Sequence, residues 1–147
     1  MKQLLIKPEI HKIDTFNEFY KIFEIGEKDL ILTIDPIYNT YLKDKKEKLN
    51  VVFPEHYALG EPTDEMIDRI LADIRGIDFN RVIAIGGGSI VDIAKLFALK
   101  QAECSEQLFL REVPIVKEKK LIIIPTTCGT GSEVTNISIA LLTKKNT

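Results

Sequence analysis

Short apolar runs of strand length, separated by helical patterns, limit most strongly what this chain can fold into. Most of these runs are almost entirely apolar instead of alternating with polar residues, which is typical of strands covered on both faces. The runs are residues 4–7, 30–34, 51–53, 82–85, 121–124 and 137–142. Their alternation with helical segments predicts an α/β domain built on a mostly parallel sheet.

Capping residues mark where two of the helices begin. Thr15 and Glu18 have the spacing of a capping box, in which the threonine side chain accepts a backbone hydrogen bond. Residues 62–65 (PTDE) open a second helix with acidic groups in the first turn, where the helix dipole favours them. Apolar residues then recur at helical spacing as far as Gly76, so this helix is predicted to bury one face.

Composition excludes several classes of function. The chain has 147 residues, about one domain, and its 20 basic and 22 acidic residues give a net charge of −2, which does not favour a nucleic-acid partner. No apolar run approaches the roughly 20 residues of a membrane-spanning helix, and the apolar stretch at the N-terminus is too short for a signal peptide. Two cysteines, Cys104 and Cys128, predict no disulfide framework, so we expect a cytoplasmic protein.

The end of the sequence suggests a longer polypeptide. Residues 137–142 form an apolar strand candidate, but no hairpin partner follows before Thr147. We therefore expect residues 1–147 to be the N-terminal part of a larger protein. An exposed edge strand and missing helical cover would make the isolated piece prone to self-association.

A glycine-rich turn follows the apolar run at 82–85. Gly86, Gly87 and Gly88 precede an apolar helix predicted from Ser89 to about Lys100. Bare backbone allows close approach of a diphosphate, and a helix start offers free N–H groups and partial positive charge. The alternative is a tight turn without a ligand, but one or two glycines would suffice for that.

Two side chains are predicted to complete this helix start. Ser89 can cap the helix or donate its hydroxyl to a phosphate, and Asp92 has the spacing to accept a hydrogen bond from the Ser89 amide in a capping box.

A second loop, residues 125–133 (PTTCGTGSE), follows the apolar run at 121–124. Its hydroxyl groups and glycines would stand at the carboxyl end of a strand, which is where open α/β sheets bind ligands. A hydroxyl-capped turn, with Ser132 as the cap, explains the same pattern. Asp35 also ends a strand candidate and could hold the ribose hydroxyls of an adenosine, but Asp35-Pro36 is equally a good helix start.

Together, residues 86–95 (GGGSIVDIAK) and 125–135 (PTTCGTGSEVT) resemble the two signature loops of the iron-containing (group III) alcohol dehydrogenases. The resemblance extends over essentially the whole chain. It implies a Rossmann-like N-terminal dinucleotide-binding domain of the dehydroquinate synthase-like fold, followed by a helical domain. Residues 59–66 and 126–136 are most similar to bacterial members that oxidise 4-hydroxybutyrate to succinate semialdehyde with NAD.

The resemblance also implies roles for individual residues in binding NAD. Asp35 would bind the adenosine ribose and favour NAD over NADP. The glycine loop, Gly86, Gly87, Gly88 and Ser89, would hold the diphosphate, with Asp92 beside the nicotinamide end. In the second loop, Thr126 and Thr127 would line the adenine and ribose side, and Thr130 and Ser132 would approach the diphosphate and nicotinamide ribose.

The catalytic metal of the family is expected outside this sequence. The resemblance implies iron or zinc as a Lewis acid, held by one Asp and typically three His in the later, helical part, so no catalytic residue is expected here. His11 and His56 lack ligand spacing and are interpreted as surface or turn residues. Two departures from the family pattern are Glu61, where Asn is common, and Cys128, where Ala is common.

The resemblance implies a homo-oligomeric dehydrogenase acting on a small alcohol or aldehyde. Three alternatives remain open: another alcohol or polyol dehydrogenase of the iron-containing family, a metal-dependent synthase with a similar cofactor domain, and a non-catalytic nucleotide-binding module.

Overall fold

In a computed structural model, residues 9–58, 62–99, 118–126 and 137–142 are described. Their strands and helices in chain order are β1 (Glu9–Ile13), α1 (Phe16–Ile22), β2 (Asp29–Leu32), α2 (Asp35–Ile37), β3 (Asn50–Val52), α3 (Asp64–Ile74), β4 (Arg81–Gly86), α4 (Gly88–Phe97), β5 (Lys120–Pro125) and β6 (Ile137–Leu142). A π-helical turn, Tyr38–Leu42, continues α2, and a 3-10 turn, Pro54–His56, follows β3.

Within the described ranges, six strands form one sheet in the order β1-β6-β5-β4-β2-β3. The strands β3, β2, β4 and β5 run parallel, whereas β6 is antiparallel to both β5 and β1. The predicted mostly parallel α/β sheet is therefore confirmed. None of the helices in the described segments has the length and apolar character needed to cross a bilayer.

Alternate side chains of the parallel strands enter two separate cores, one on each face of the sheet. Helices α3 and α4 cover the face that carries Leu30, Leu32, Val82, Ala84, Leu121 and Ile123. Helix α1, α2 and the π-helical turn cover the face that carries Ile31, Ile83, Ile85, Ile122 and Ile124. Burial on both faces is the reason that these strands are apolar over most of their length.

The predicted cap at Thr15 is confirmed, and the helix predicted to open at residues 62–65 begins at Asp64 with Thr63 as its cap. Thr15 Oγ1 accepts a hydrogen bond from the Glu18 amide at 3.2 Å, and Thr63 Oγ1 accepts one from the Met66 amide at 3.2 Å. Each contact satisfies an amide that has no partner within its own helix. Helix α3 therefore starts in register to bury five apolar side chains: Met66, Ile67, Ile70, Leu71 and Ile74.

The first and last strands, β1 and β6, pair with each other in the sheet. Residues 137–142, for which no hairpin partner follows in the sequence, pair with strands from earlier in the chain, because β6 lies between β5 and β1. Self-association of the isolated piece, expected from an exposed edge strand and missing helical cover, stays a prediction. The strand predicted at residues 4–7 lies outside the described residues, while the strand that pairs with β6 is Glu9–Ile13.

Candidate functional site

Strands β2 and β4 are neighbours whose chain continuations leave toward opposite faces of the sheet. After β2 the chain enters α2 on one face, and after β4 it enters α4 on the other. The carboxyl ends of two such strands border a crevice, the usual ligand site in open α/β sheets. Asp35 follows β2 and Gly86 ends β4, so the fold brings the predicted ribose residue and the glycine loop to the same edge of the sheet.

The three consecutive glycines have different structural roles. A Cβ added to Gly86 would lie 2.9 Å from Cγ1 and 3.1 Å from Cβ of Ile90, so packing of α4 on β4 requires glycine at position 86. Among the described residues, a Cβ on Gly87 or Gly88 would meet nothing within 4 Å, and both glycines are exposed. Gly87 has a φ of −84°, which other residues adopt readily. Neither packing nor the Gly87 conformation accounts for these two exposed glycines.

The start of α4 leaves its amides free of side-chain caps. The N-cap is Gly87, the described residues provide no side-chain cap, and the first turn carries no acidic residue. The first intrahelical bond runs from the Val91 amide to the Gly87 carbonyl at 3.1 Å, so the amides of residues 88–90 have no partner within the helix. These amides form the positive end of the helix dipole beside the exposed glycines.

The predicted capping box at this helix is wrong. Because α4 begins at Gly88, Ser89 is the second helical residue and not the cap, although its exposed hydroxyl remains beside the helix start. Asp92 instead lies 3.9 Å from Lys95 in an exposed ion pair, measured from Oδ1 to Nζ. The helix also ends at Phe97, three residues before the predicted end at Lys100.

The second loop starts beside the glycine loop. Gly86 is paired with Pro125 in the parallel register of β4 and β5, and the Thr126 amide donates a hydrogen bond to the Gly86 carbonyl at 3.2 Å. Thr126 therefore lies at the carboxyl edge of the sheet, as predicted. Thr127, Thr130 and Ser132 lie outside the described residues, as do Glu61 and Cys128.

Asp35 begins α2, and its carboxylate is held by the 3-10 turn after β3. Its Oδ2 lies 2.7 Å from Nε2 of His56, and its amide donates to Oε1 of Glu55 at 2.9 Å. The Asp35 side chain nevertheless remains 48% exposed. The predicted helix start at Asp35-Pro36 is confirmed, and it coexists with an accessible carboxylate at the crevice.

Sequence reasoning missed the contact between Asp35 and His56. The two residues are 21 positions apart and share no local pattern; they meet only because β2 and β3 are adjacent. Ligand atoms of Asp35, Glu55 and His56 lie within 4.8 Å of one another, although each residue is at least partly exposed and the group already bonds internally. His11 lies on β1, where its ring meets Phe23 edge-on at 5.5 Å.

The sequence model of the iron-containing alcohol dehydrogenase family matches residues 10–147. The chain therefore belongs to this family, and the family resemblance of the two loops is confirmed. The mostly parallel sheet flanked by helices is consistent with an α/β N-terminal domain of this family.

Among individual proteins, the chain is 50% identical to 4-hydroxybutyrate dehydrogenase from Clostridium kluyveri over all 147 residues. It is 42% identical over 90 residues to long-chain-alcohol dehydrogenase 1 from Geobacillus thermodenitrificans. That match spans 58% of the chain and 23% of the relative. It is also 33% identical over 135 residues to a mitochondrial hydroxyacid-oxoacid transhydrogenase from Caenorhabditis briggsae, a match to 82% of the chain and 29% of the relative.

The chain spans 40% of the length of the clostridial relative and a smaller share of the other two.

Proposed function

We propose that this chain is the NAD-binding domain of a dehydrogenase that oxidises 4-hydroxybutyrate to succinate semialdehyde. The 50% identity over all 147 residues of this chain supports this substrate over the long-chain alcohols named for a relative matched over 58% of the chain. When bound, NAD supplies the hydride acceptor, while the residues of this chain bind and orient it. The remainder of the enzyme is a helical domain beyond these residues.

One observation carries the proposal of a dinucleotide site: Gly87 and Gly88 are exposed, and neither would clash if it carried a side chain. A diphosphate lying against the backbone explains the absence of side chains there, since a Cβ would occupy the space of the ligand. The amides of residues 88–90 then donate to its oxygens, and the dipole of α4 favours its negative charge. The Ser89 hydroxyl is a further donor at the same helix start.

Asp35 supports NAD as the dinucleotide. Its half-exposed carboxylate lies at the crevice and can accept hydrogen bonds from the ribose hydroxyls. The same negative charge repels the 2′-phosphate of NADP. We assign Thr126 to the adenine and ribose side and Asp92 to the nicotinamide end. The family resemblance implies the adenine and ribose side also for Thr127, and the diphosphate and nicotinamide ribose for Thr130 and Ser132, which lie outside the described residues.

The described residues do not provide the ligand set expected for the catalytic metal. Their one group of three side chains with ligand spacing is formed by Asp35, Glu55 and His56, at the end of the crevice where we place the ribose. In this proposal the metal ligands of the complete enzyme come from the helical domain, as the family resemblance implies.

The cofactor site can be tested by introducing a larger side chain at Gly87 or Gly88. In the complete enzyme, Gly87→Val or Gly88→Val should weaken NADH binding at least about tenfold, a loss of about 1.4 kcal/mol. Gly76→Val is the matched control, because Gly76 is exposed with nothing within 4 Å of an added Cβ. Unchanged affinity in folded variants at positions 87 and 88 would reject the site.

A transhydrogenase is a second candidate because that relative matches 82% of the chain. The complete enzyme, supplied with NAD and 4-hydroxybutyrate but no oxoacid, should accumulate free NADH over many turnovers if it is a dehydrogenase. Turnover that occurs only when an oxoacid is added, without free NADH, would favour the transhydrogenase. Higher kcat/KM for long-chain alcohols would contradict the proposed substrate.

A further inference from the structure

Of the two carboxylate oxygens of Asp35, Oδ2 has a hydrogen-bond partner among the described residues and Oδ1 has none. Because a carboxylate can only accept, Nε2 of His56 carries the hydrogen and donates to Oδ2 over 2.7 Å. Within the described segments, the structure gives Oδ1 no hydrogen-bond partner. With the side chain 48% exposed, this open oxygen remains available to a ligand.

The position of His56 is restricted by a stacked aromatic ring and by the 3-10 turn to which it belongs. Its ring stacks on Phe53 at 4.8 Å with an interplanar angle of 25°, and Phe53 meets Tyr38 edge-on at 5.4 Å. The adjacent Glu55 accepts the hydrogen bond from the Asp35 amide. The 3-10 turn thus contacts both the backbone and the side chain of Asp35 and restricts the conformations that its carboxylate can adopt.

We propose that His56 is a positioning residue for cofactor recognition. By fixing Oδ2, it presents Oδ1 of Asp35 to the ribose hydroxyls of NAD, and keeps the carboxylate charge where a 2′-phosphate would lie. This inference rests on the proposed function of Asp35 as the ribose-binding residue. His56 acts only through Asp35 and makes no contact with the dinucleotide itself.

Two substitutions separate the hydrogen bond from the ring stack. His56→Phe keeps an aromatic ring for Phe53 but removes the donor, whereas His56→Gln retains a side-chain N–H donor. In the complete enzyme, His56→Phe should raise the Kd for NADH about threefold, a small effect because both partners are half-exposed. It should lower the ratio of the NADPH Kd to the NADH Kd by a similar factor, and His56→Gln should restore most of both.

The cofactor ratio distinguishes positioning from structural damage, because a general loss of structure would weaken both cofactors alike. His11→Phe is the matched control, since His11 lies on β1 at the far edge of the sheet. In an Asp35→Ala background, His56→Phe should have no further effect. An additional loss of affinity in that background would contradict action through Asp35.

The inference and the proposed function fail in different ways. If Asp35→Ala weakens NADH binding but His56→Phe changes neither affinity nor the cofactor ratio, His56 has no positioning role and the ribose assignment stands. If Asp35→Ala leaves NADH and NADPH affinities unchanged, the ribose assignment itself is wrong, and the role of His56 is rejected with it.

Discussion

The hydroxyl of Thr33 donates a hydrogen bond to the carbonyl oxygen of Ile85 at 2.9 Å, joining the ends of β2 and β4 where the two strands diverge. Thr33 is fully buried, and its amide also donates to the Val52 carbonyl at 3.2 Å. Thr33 therefore connects three neighbouring strand ends at the base of the crevice. Asp35 lies two residues beyond it, and Gly86 follows Ile85 directly.

Replacing Thr33 with Val should lower the free energy of unfolding by about 1 kcal/mol, because one buried hydrogen bond is lost. Thermal or urea unfolding of the purified protein measures this. Thr40→Val is the control, since Thr40 is exposed and bonds the Pro36 carbonyl four residues back on the same helical segment. Equal stability of the two variants would show that the buried hydrogen bond of Thr33 contributes no more to stability than the exposed one of Thr40.

Substitution of Gly86 should affect stability, in contrast to the effects on binding proposed for Gly87 and Gly88. An alanine Cβ at position 86 would lie 2.9 Å from Ile90 Cγ1, and Ile90 is buried and β-branched, so it has few alternative rotamers. Gly86→Ala should therefore reduce the free energy of unfolding by about 1–3 kcal/mol.

A double-mutant cycle checks the cause of that loss. Ile90→Ala removes Cγ1, the nearest of the clashing atoms, and keeps only Cβ at 3.1 Å, so the double variant should be less destabilised than the sum of the two single changes. Strict additivity would mean that crowding against Ile90 is not the origin of the effect.

The parallel strands and the glycine loop could be predicted because both depend on local sequence. Burial on two faces leaves a continuous apolar run, as in Val82–Ile85 of β4, and the glycines mark the turn after it. The edge strand β1 reads EIHKI, with polar and apolar residues interspersed, and it lacks such a run. Its pairing with β6 joins residues more than 120 positions apart, for which a single sequence contains no signal.

The exact start of α4 and the partner of Asp35 could not be predicted from the sequence. Ser89 has good capping chemistry, but glycine at position 88 allows α4 to start one residue earlier, which places the serine inside the first turn. Asp35 could be identified as a candidate, whereas its contact with His56 arises from strand adjacency alone. Local chemistry thus identifies candidate residues, and the sheet order determines which of them meet.

Removing one partner of the ion pair between Asp29 and Arg81 should destabilise the protein strongly. Arg81 donates from Nε to Oδ1 at 2.6 Å and from Nη2 to Oδ2 at 3.0 Å, and the Asp29 side chain is only 5% exposed. Arg81→Met leaves this carboxylate buried without its cation, so the free energy of unfolding should fall by about 3 kcal/mol. A lower urea midpoint with an unchanged denaturant slope would establish the loss.

A surface ion pair provides the comparison for Arg81→Met. Lys28 and Asp78 are 56% and 82% exposed, so Asp78→Asn should not change the urea midpoint measurably. If both variants unfold at the wild-type midpoint, burial does not strengthen the Asp29–Arg81 pair.

The stability of the protein at high pH should depend on Tyr57. Burial, followed by the hydrogen bond from its hydroxyl to Asp73 Oδ2 at 2.5 Å, raises the pKa of Tyr57 from 10.0 to about 12. Because the folded state favours the neutral phenol, this contribution is complete below pH 10 and is lost as the pH rises from 10 to 12. Tyr57→Phe should therefore show a shallower decline in stability than the wild type over that interval.

The titration of Tyr57 can be followed directly, because the sequence contains four tyrosines and no tryptophan. In difference spectra between the wild type and Tyr57→Phe, tyrosinate absorbance should appear near pH 12. Asp73→Asn should move this transition toward pH 10, but not fully to it, because burial is the larger cause and persists in the variant. A transition at pH 10 in the folded wild type would show that neither burial nor Asp73 perturbs the phenol.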